Sequence, residues 1–243
     1  MDVPKIFGRY QPMQVLGSGS GSRVILVQDL LEGEVRALKV LLDEAGTEGF
    51  FREFEILASI QHPLVVKVFD FGQDASGLRY FTMEYLPGRP LSAVIPESLA
   101  LARITAIATQ LLTALAAIHA RGILHADLKP QNIFLVEEGD SRDQIKLLDF
   151  GLAGLRRDQD PGHLRGTLHY MAPEVFTGAR VDQRSDLYAA GVILFEMLTG
   201  KPPVEGSSSQ ELIQLKLSQS APSPLDLRPD CPLELARLVG LLL

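Results

Sequence analysis

The chain is poor in the features that mark a secreted, membrane-spanning or nucleic-acid-binding protein. It has a single cysteine, Cys231, in 243 residues. One thiol excludes an internal disulfide and a thiolate metal cluster, and a reducing, cytoplasmic setting is expected. Cys231 itself reads as an inert, partly buried thiol. Basic residues are scarce: 23 Lys and Arg stand against 30 Asp and Glu, a net charge of −7. That balance argues against general nucleic-acid binding, which needs a basic footprint, although a local basic groove stays open. The N-terminal residues Met1-Asp2-Val3-Pro4 are acidic and carry no apolar core of a signal peptide. The longest apolar run of the last third, 189–195, stops at Glu196. It is far short of the ~20 residues that cross a bilayer, so no span is expected. There is no internal repeat.

What is present is enough to build a large core. Hydrophobic residues make up 46% and charged residues 22%, which suits one large domain or two lobes sharing a cleft. Residues 9–40 read as strand, glycine turn, strand, turn at Glu32-Gly33-Glu34, and strand. Residues 48–60 have apolar positions at 50, 54, 57 and 60, a helical spacing closed by His62-Pro63. Segments 65–71 and 78–85 read as strands. The first ~85 residues are thus predicted to form a small antiparallel sheet with one helix. Pro87-Gly88-Arg89-Pro90 reads as a break. Beyond it the spacing predicts a long amphipathic helix over 101–120, stopped by Gly122. Strands follow at 133–136 and 145–148 around an acidic turn, 137–143. Segment 187–198 is apolar nearly all round and reads as a central buried helix, with further helices near 210–218 and 232–243.

Several stretches carry polar groups suited to chemistry. Residues 125–132, His125-Ala126-Asp127-Leu128-Lys129-Pro130-Gln131-Asn132, hold an acid, a cation and an amide at fixed spacing just before a strand. A solvated turn is the plain alternative. Gly17-Ser18-Gly19-Ser20-Gly21-Ser22 follows Val15-Leu16 between two strands. A glycine loop in a hairpin lets backbone N–H groups approach phosphates, or is merely a flexible turn. Lys39 lies in the apolar strand Ala37-Leu38-Lys39-Val40 and either snorkels to an edge or points inward, with Glu53 of the next helix as a possible partner. Asp149-Phe150-Gly151 puts a carboxylate at a strand end, suited to a hard cation or to a simple turn. Ala172-Pro173-Glu174 follows, its Glu174 lying 25 residues after Asp149.

In this order the residues resemble the serine/threonine protein kinase family, of a bacterial style, over nearly the whole chain. Gly-x-Gly-x-x-Ser-x-Val runs from 17 to 24. Lys39, Glu53, the hinge Met83-Glu84-Tyr85-Leu86, the 125–132 loop, Asp149-Phe150-Gly151, Gly166-Thr167, Ala172-Pro173-Glu174 and Asp186 follow. The resemblance implies an α+β, bilobal fold. Residues 1–86 would be an N-lobe of antiparallel sheet plus one helix, and 87–243 a mainly helical C-lobe. It also implies ATP and Mg²⁺ as cofactors and a non-specific serine/threonine protein kinase activity on protein substrates. By that likeness the amides of Ser20, Gly21 and Ser22, in the loop from Leu16 through Gly17, Ser18 and Gly19, cover the phosphates. Lys39, positioned by Glu53, binds the α- and β-phosphates. Asn132 and Asp149 hold Mg²⁺, Asp127 takes or orients the substrate hydroxyl, and Lys129 neutralises the γ-phosphate. Adenine pairs with the backbone of Glu84 and Leu86 beneath the gatekeeper Met83, between Val24 and Ala37 above and Phe134 below. His125, Phe150, Leu57 and Val68 stack as a spine, His125 being a satisfied structural histidine. Asp186 bonds the backbone of the catalytic loop. Gly166-Thr167 and Ala172-Pro173-Glu174 build a platform for a peptide, and Thr167 contacts Asp127 and Lys129.

The sequence departs from the family pattern in places. The third loop glycine is Ser22, and Pro90 stands where many relatives offer the ribose a hydrogen-bonding group. Ala126 replaces the arginine that usually precedes the catalytic aspartate, so the family's non-arginine class is implied. From 152 to 165 there is no Ser, Thr or Tyr. The phosphate-sensing arginine and its usual target are missing together, which predicts activity without phosphorylation of that segment. Glu174 would normally pair with a later arginine that does not appear by Leu243. The native chain is therefore expected to continue, with further domains beyond, and Glu174 to lack a partner. Two other classes compete: a pseudokinase scaffold, disfavoured because Lys39, Asp127, Asn132 and Asp149 all stand, and a small-molecule phosphotransferase, disfavoured by the peptide-platform motifs.

Overall fold

The computed structural model describes residues 6–19, 21–43, 46–74, 77–138, 141–150 and 168–243. The chain divides into two compact units, Met1–Pro87 and Gly88–Leu243. The first is a five-stranded antiparallel sheet of order β1-β2-β3-β5-β4. Its strands are β1 (Tyr10–Gly19), β2 (Ser22–Asp29), β3 (Val35–Leu41), β4 (Val68–Gln73) and β5 (Arg79–Glu84). One helix, α1 (Thr47–Ser59), enters between β3 and β4.

Alternation along β3 decides which side of this sheet carries chemistry. Leu38 and Val40 pack with Tyr10 and Val27 in one apolar cluster. Leu41, one residue beyond Val40, packs instead with Phe50 of α1 and Phe81 of β5. Lys39 shares the parity of Leu41, so its ammonium faces α1 and lies 5.6 Å from the centre of the Phe81 ring. A slip of one residue would turn Lys39 to the other cluster. The far end of the sheet is tied by Arg9, which donates to both oxygens of Asp29 at 2.7 and 2.5 Å and reaches Asp70 at 3.2 Å.

The second unit is mainly helical. It contains α2 (Leu91–Val94), α3 (Leu101–His119), α4 (Pro173–Thr177), α5 (Gln183–Thr199), α6 (Ser209–Ser218) and α7 (Leu233–Leu242). A small sheet of order β6-β7-β8 accompanies them, built from β6 (Gly88–Pro90), β7 (Ile133–Glu138) and β8 (Ser141–Leu147). By length and composition α3 could cross a bilayer. In this fold its stripe of Ile104, Ile107, Leu111, Leu115 and Ile118 is buried, and the helix packs on α5 and β8. Helix α5 is buried almost continuously from Ala189 to Leu198, as its all-round apolar sequence requires. Its first turn is polar and capped by Asp182, whose side chain accepts from the Arg184 amide.

The α+β kinase architecture expected from the sequence is present, with corrections in detail. Residues 88–90 are a strand paired with β7 rather than a break. A side chain at Gly88 would place its Cβ 2.0 Å from the Leu135 carbonyl oxygen, so only glycine lets the two backbones pair. The 137–143 turn is much tighter, because β7 and β8 stay paired out to Glu138 and Ser141.

Candidate active site

The first unit contributes a glycine hairpin and a buried ion pair. β1 and β2 pair through Gly17↔Val24, Ser18↔Arg23 and Gly19↔Ser22. Gly21 has φ +81°, a conformation that the sequence meets with glycine. Nothing lies within 4 Å of a Cβ built on Gly17 or Gly19. Leu16 and Val15 are exposed. Ser20 falls outside the described residues. Lys39 is buried and donates from Nζ to Glu53 Oε1 at 2.6 Å. A carboxylate at that range fixes where the ammonium points. Ala37 is buried opposite Met83 in the β3–β5 pairing. The Glu84 amide donates to the Lys67 carbonyl at 2.9 Å. Leu57 of α1 is buried and Val68 half-buried.

The second unit gathers the loop at 125–132. Pro130 opens a short 3₁₀ turn, Pro130–Asn132, that swings Asn132 back toward Asp127. Lys129 Nζ donates to Asp127 Oδ2 at 2.7 Å, and Asn132 Nδ2 donates to the same oxygen at 3.1 Å and to the Asp127 carbonyl at 2.9 Å. The two donors fix the orientation of the carboxylate. With its nitrogen committed to Asp127, Asn132 has its amide oxygen to offer a cation. The Leu148 amide donates to the Asn132 carbonyl at 2.9 Å, which seats Asp149 one residue from this contact. Asp149 has φ +44°, a strained region for a residue with a side chain. Phe134 is half-buried in β7 between the fully buried Ile133 and Leu135.

The loop is tied to the helical core by Asp186. This carboxylate accepts from the amides of His125 and Ala126, each at 2.9 Å, and lies 2.8 Å from His119 Nε2. Burial alone would raise its carboxyl, but the His119 ring and the two amides together hold it below the ordinary range. Ala126 sits at φ +60° so that both amides can point one way. The backbone bond expected of Asp186 is present. His119 was not singled out from sequence, where it reads only as the end of an amphipathic helix.

His125 departs from expectation. Its ring is fully buried and stacked on Phe150 with centroids 4.7 Å apart, but neither nitrogen has a partner at full hydrogen-bond geometry among the described residues. It is a structural histidine, and the Leu148 backbone is the hydrogen-bonding group that acts on its ring. Burial pushes its pKa down, against the pull of Asp186, Asp127 and Asp149, so the ring is neutral. Glu174 departs as well: it is half-buried and accepts from Ser185 Oγ at 2.6 Å, so it has a partner. Cys231 is buried, and burial pushes its thiol up, which fits an inert role. Gly151, Gly166, Thr167 and the hydroxyl-free 152–165 stretch lie outside the described residues.

A sequence model of the protein kinase domain matches residues 10–233. The chain belongs to the protein kinase family. Bacterial serine/threonine kinases are among its curated relatives. It is similar to the DNA damage-responsive serine/threonine-protein kinase RqkA of Deinococcus radiodurans, 39% identical over 243 residues, covering 96% of this chain and 36% of that protein. It is similar to the serine/threonine-protein kinase pkn3 of Myxococcus xanthus, 35% identical over 236 residues, covering 91% and 43%. It is also similar to the serine/threonine-protein kinase PrkC of Bacillus subtilis, 32% identical over 245 residues, covering 97% and 37%. This kinase chain therefore spans less than half the length of the relatives it matches. Among the described residues no cluster of three His, Cys, Asp or Glu could hold a metal alone. An amide oxygen and one carboxylate fit Mg²⁺, which keeps waters and takes phosphate oxygens rather than a full protein cage.

Proposed function

We propose that the chain transfers the γ-phosphate of ATP to serine or threonine hydroxyls of protein substrates. The observation that carries this is the Asp127–Lys129–Asn132 cluster, in which a cation and an amide converge on one oxygen of the Asp127 carboxylate. In this reading the amides of Ser20, Gly21 and Ser22 lie along the phosphates, and Lys39, held by Glu53, binds them. The adenine pairs with backbone groups of Glu84 and Leu86 and packs on Val24, Ala37, Met83 and Phe134. Asn132 and Asp149 would hold Mg²⁺, which would supply positive charge to offset that of the phosphates. Asp127 accepts a hydrogen bond from the substrate hydroxyl and later its proton. Lys129, already beside Asp127, balances charge on the phosphoryl oxygens. The buried lone thiol and the acidic balance support a reducing, cytoplasmic setting.

The test is transfer of label from γ-labelled ATP to casein, run beside Asp127→Asn. Label transfer that the substitution abolishes supports the reading. No transfer by the unaltered chain, with ATP still bound, points to a pseudokinase. Transfer to small molecules but not to casein points to a different phosphotransferase.

We further propose that activity does not depend on phosphorylation of the 152–165 segment. Ala126 supplies no cation for a phosphate to neutralise, and the segment has no hydroxyl. Phosphatase treatment followed by mass spectrometry checks this. Activity that falls with loss of a phosphate from that segment sinks it.

A further inference from the structure

Lys216, on α6, is buried and has no carboxylate near it. It shares the buried face of α6 with Leu212, one turn earlier. A methionine there would complete the apolar stripe at no electrostatic cost. The ammonium is instead spent on backbone: Nζ donates to the Met171 carbonyl at 2.8 Å and to the His169 carbonyl. Tyr188 Oη lies 3.4 Å away, and its ring centre 4.9 Å. Residues 168–172 form neither helix nor strand, so these two carbonyls have no ladder to join. Between them, Tyr170 donates its hydroxyl to Glu196 of α5 at 2.8 Å. Three successive residues are thus pinned, two by their carbonyls to α6 and one by its side chain to α5. They lie directly before Ala172-Pro173-Glu174.

We propose that Lys216 is a positioning residue for the protein substrate, clamping the 169 and 171 carbonyls so that segment 168–172 holds the shape on which a serine- or threonine-bearing peptide docks. This rests on the reading of the chain as a protein kinase. The clamp is charge-assisted, and a neutral amine would hold the carbonyls more weakly. Burial lowers the pKa of Lys216 to about 7. The titratable groups on the elements packed around it are His169 and Tyr170 on the segment, Tyr188 on α5, and Glu174 on α4, whose carboxylate is bonded to Ser185 and does not act on Lys216. The Tyr188 hydroxyl is pushed up to about 12 by burial and stays neutral. Residues 219–224, with Ala236 and Gly240 of α7, add no charge. They line with Lys216 a cavity of about 470 Å³, roomy enough for water to carry the proton away. Docking should therefore weaken as pH rises through neutrality.

The experiment compares the full chain with Lys216→Met and Lys216→Arg, varying casein and ATP separately, and measures ATP hydrolysis without casein. For Lys216→Met the KM for casein should rise about tenfold, the size of one lost charge-assisted bond. The KM for ATP and the hydrolysis rate should hold, and Lys216→Arg should restore most of the loss. In the unaltered chain the KM for casein should rise severalfold from pH 6 to pH 8.5. In Lys216→Arg it should stay flat. Lys216→Met should melt no lower than the unaltered chain at pH 6, since a buried charge is removed. An unchanged KM for casein, or an equal fall in ATP hydrolysis, overturns the proposal. A flat pH profile in the unaltered chain does so without any substitution. Absence of casein phosphorylation by the unaltered chain overturns instead the kinase reading beneath it.

Discussion

Lys39 and Lys216 are the two buried lysines among the described residues, and they are compensated differently. Lys39 faces a carboxylate, Glu53, at 2.6 Å. Lys216 faces only carbonyl dipoles and an aromatic ring. A full opposite charge repays much of the cost of desolvation, whereas dipoles repay less. In the proposed function Lys39 is the cation that meets phosphate, and Glu53 fixes where it points. Lys216 is a cation at the edge of losing its proton, useful because its grip can change. Asp186 completes the comparison from the other sign, a buried anion compensated by two amides and the His119 ring.

The contrast can be broken most sharply at Lys39. Lys39→Met should lower phosphate transfer by about a hundredfold or more, the loss typical of one preorganised charged donor. Steady-state transfer from labelled ATP checks this. Retained activity would mean that the pair is structural, like the clamp at 216. Asp186→Asn should be next, costing roughly 3 kcal/mol in chemical denaturation, because two amides and a ring lose a charged acceptor. The sign with pH follows from its depressed carboxyl. The stabilisation is fully present above the ordinary carboxylate pKa of about 4 and is lost as pH falls through the lower, folded value.

Lys216 has the opposite sign. Its folded pKa of about 7 lies below the ordinary lysine value. The folded state therefore binds fewer protons between pH ~7 and ~10.4, and stability rises with pH across that window. Lys216→Met should remove this rise and gain on the order of 2–4 kcal/mol below pH 7, after the loss of the carbonyl bonds. Melting curves at pH 6 and pH 9 would show it. The smallest effect should be at Ala126. Its positive φ costs about 1 kcal/mol that glycine would not incur, offset by the added freedom of the unfolded chain. Ala126→Gly should thus change stability by under about 1 kcal/mol and leave transfer intact. A large loss of activity would mean that the methyl group itself matters.

Much of this architecture is written in periodicity. β3 and α3 announce themselves through alternation and a 3.6-residue stripe, and the order of polar motifs names the residues that meet at Asp127. What the sequence hides has physical reasons. β6 is held by backbone pairing that leaves no side-chain pattern, and its glycine and prolines look like a break. The start of α5 is masked because its first turn is polar and capped. His119 and Lys216 were missed because each is one polar residue on an otherwise apolar helix face. Lys216 left a faint signal: it falls where a further apolar residue after Leu212 would be expected. The hydrogen bond that Glu174 accepts from Ser185, eleven residues away, was missed because only an arginine was sought for it.

The Asp186 anchor has a consequence in time. The amide hydrogens of His125 and Ala126 are held by a carboxylate that is 3% exposed, at the start of the most buried helix of the unit. Local fraying cannot free them. Their exchange with deuterium should wait for cooperative opening of α5 and α3, placing these two loop amides among the slowest in residues 88–243. The 125–132 loop would then have the lifetime of a core helix, though it lies in a turn.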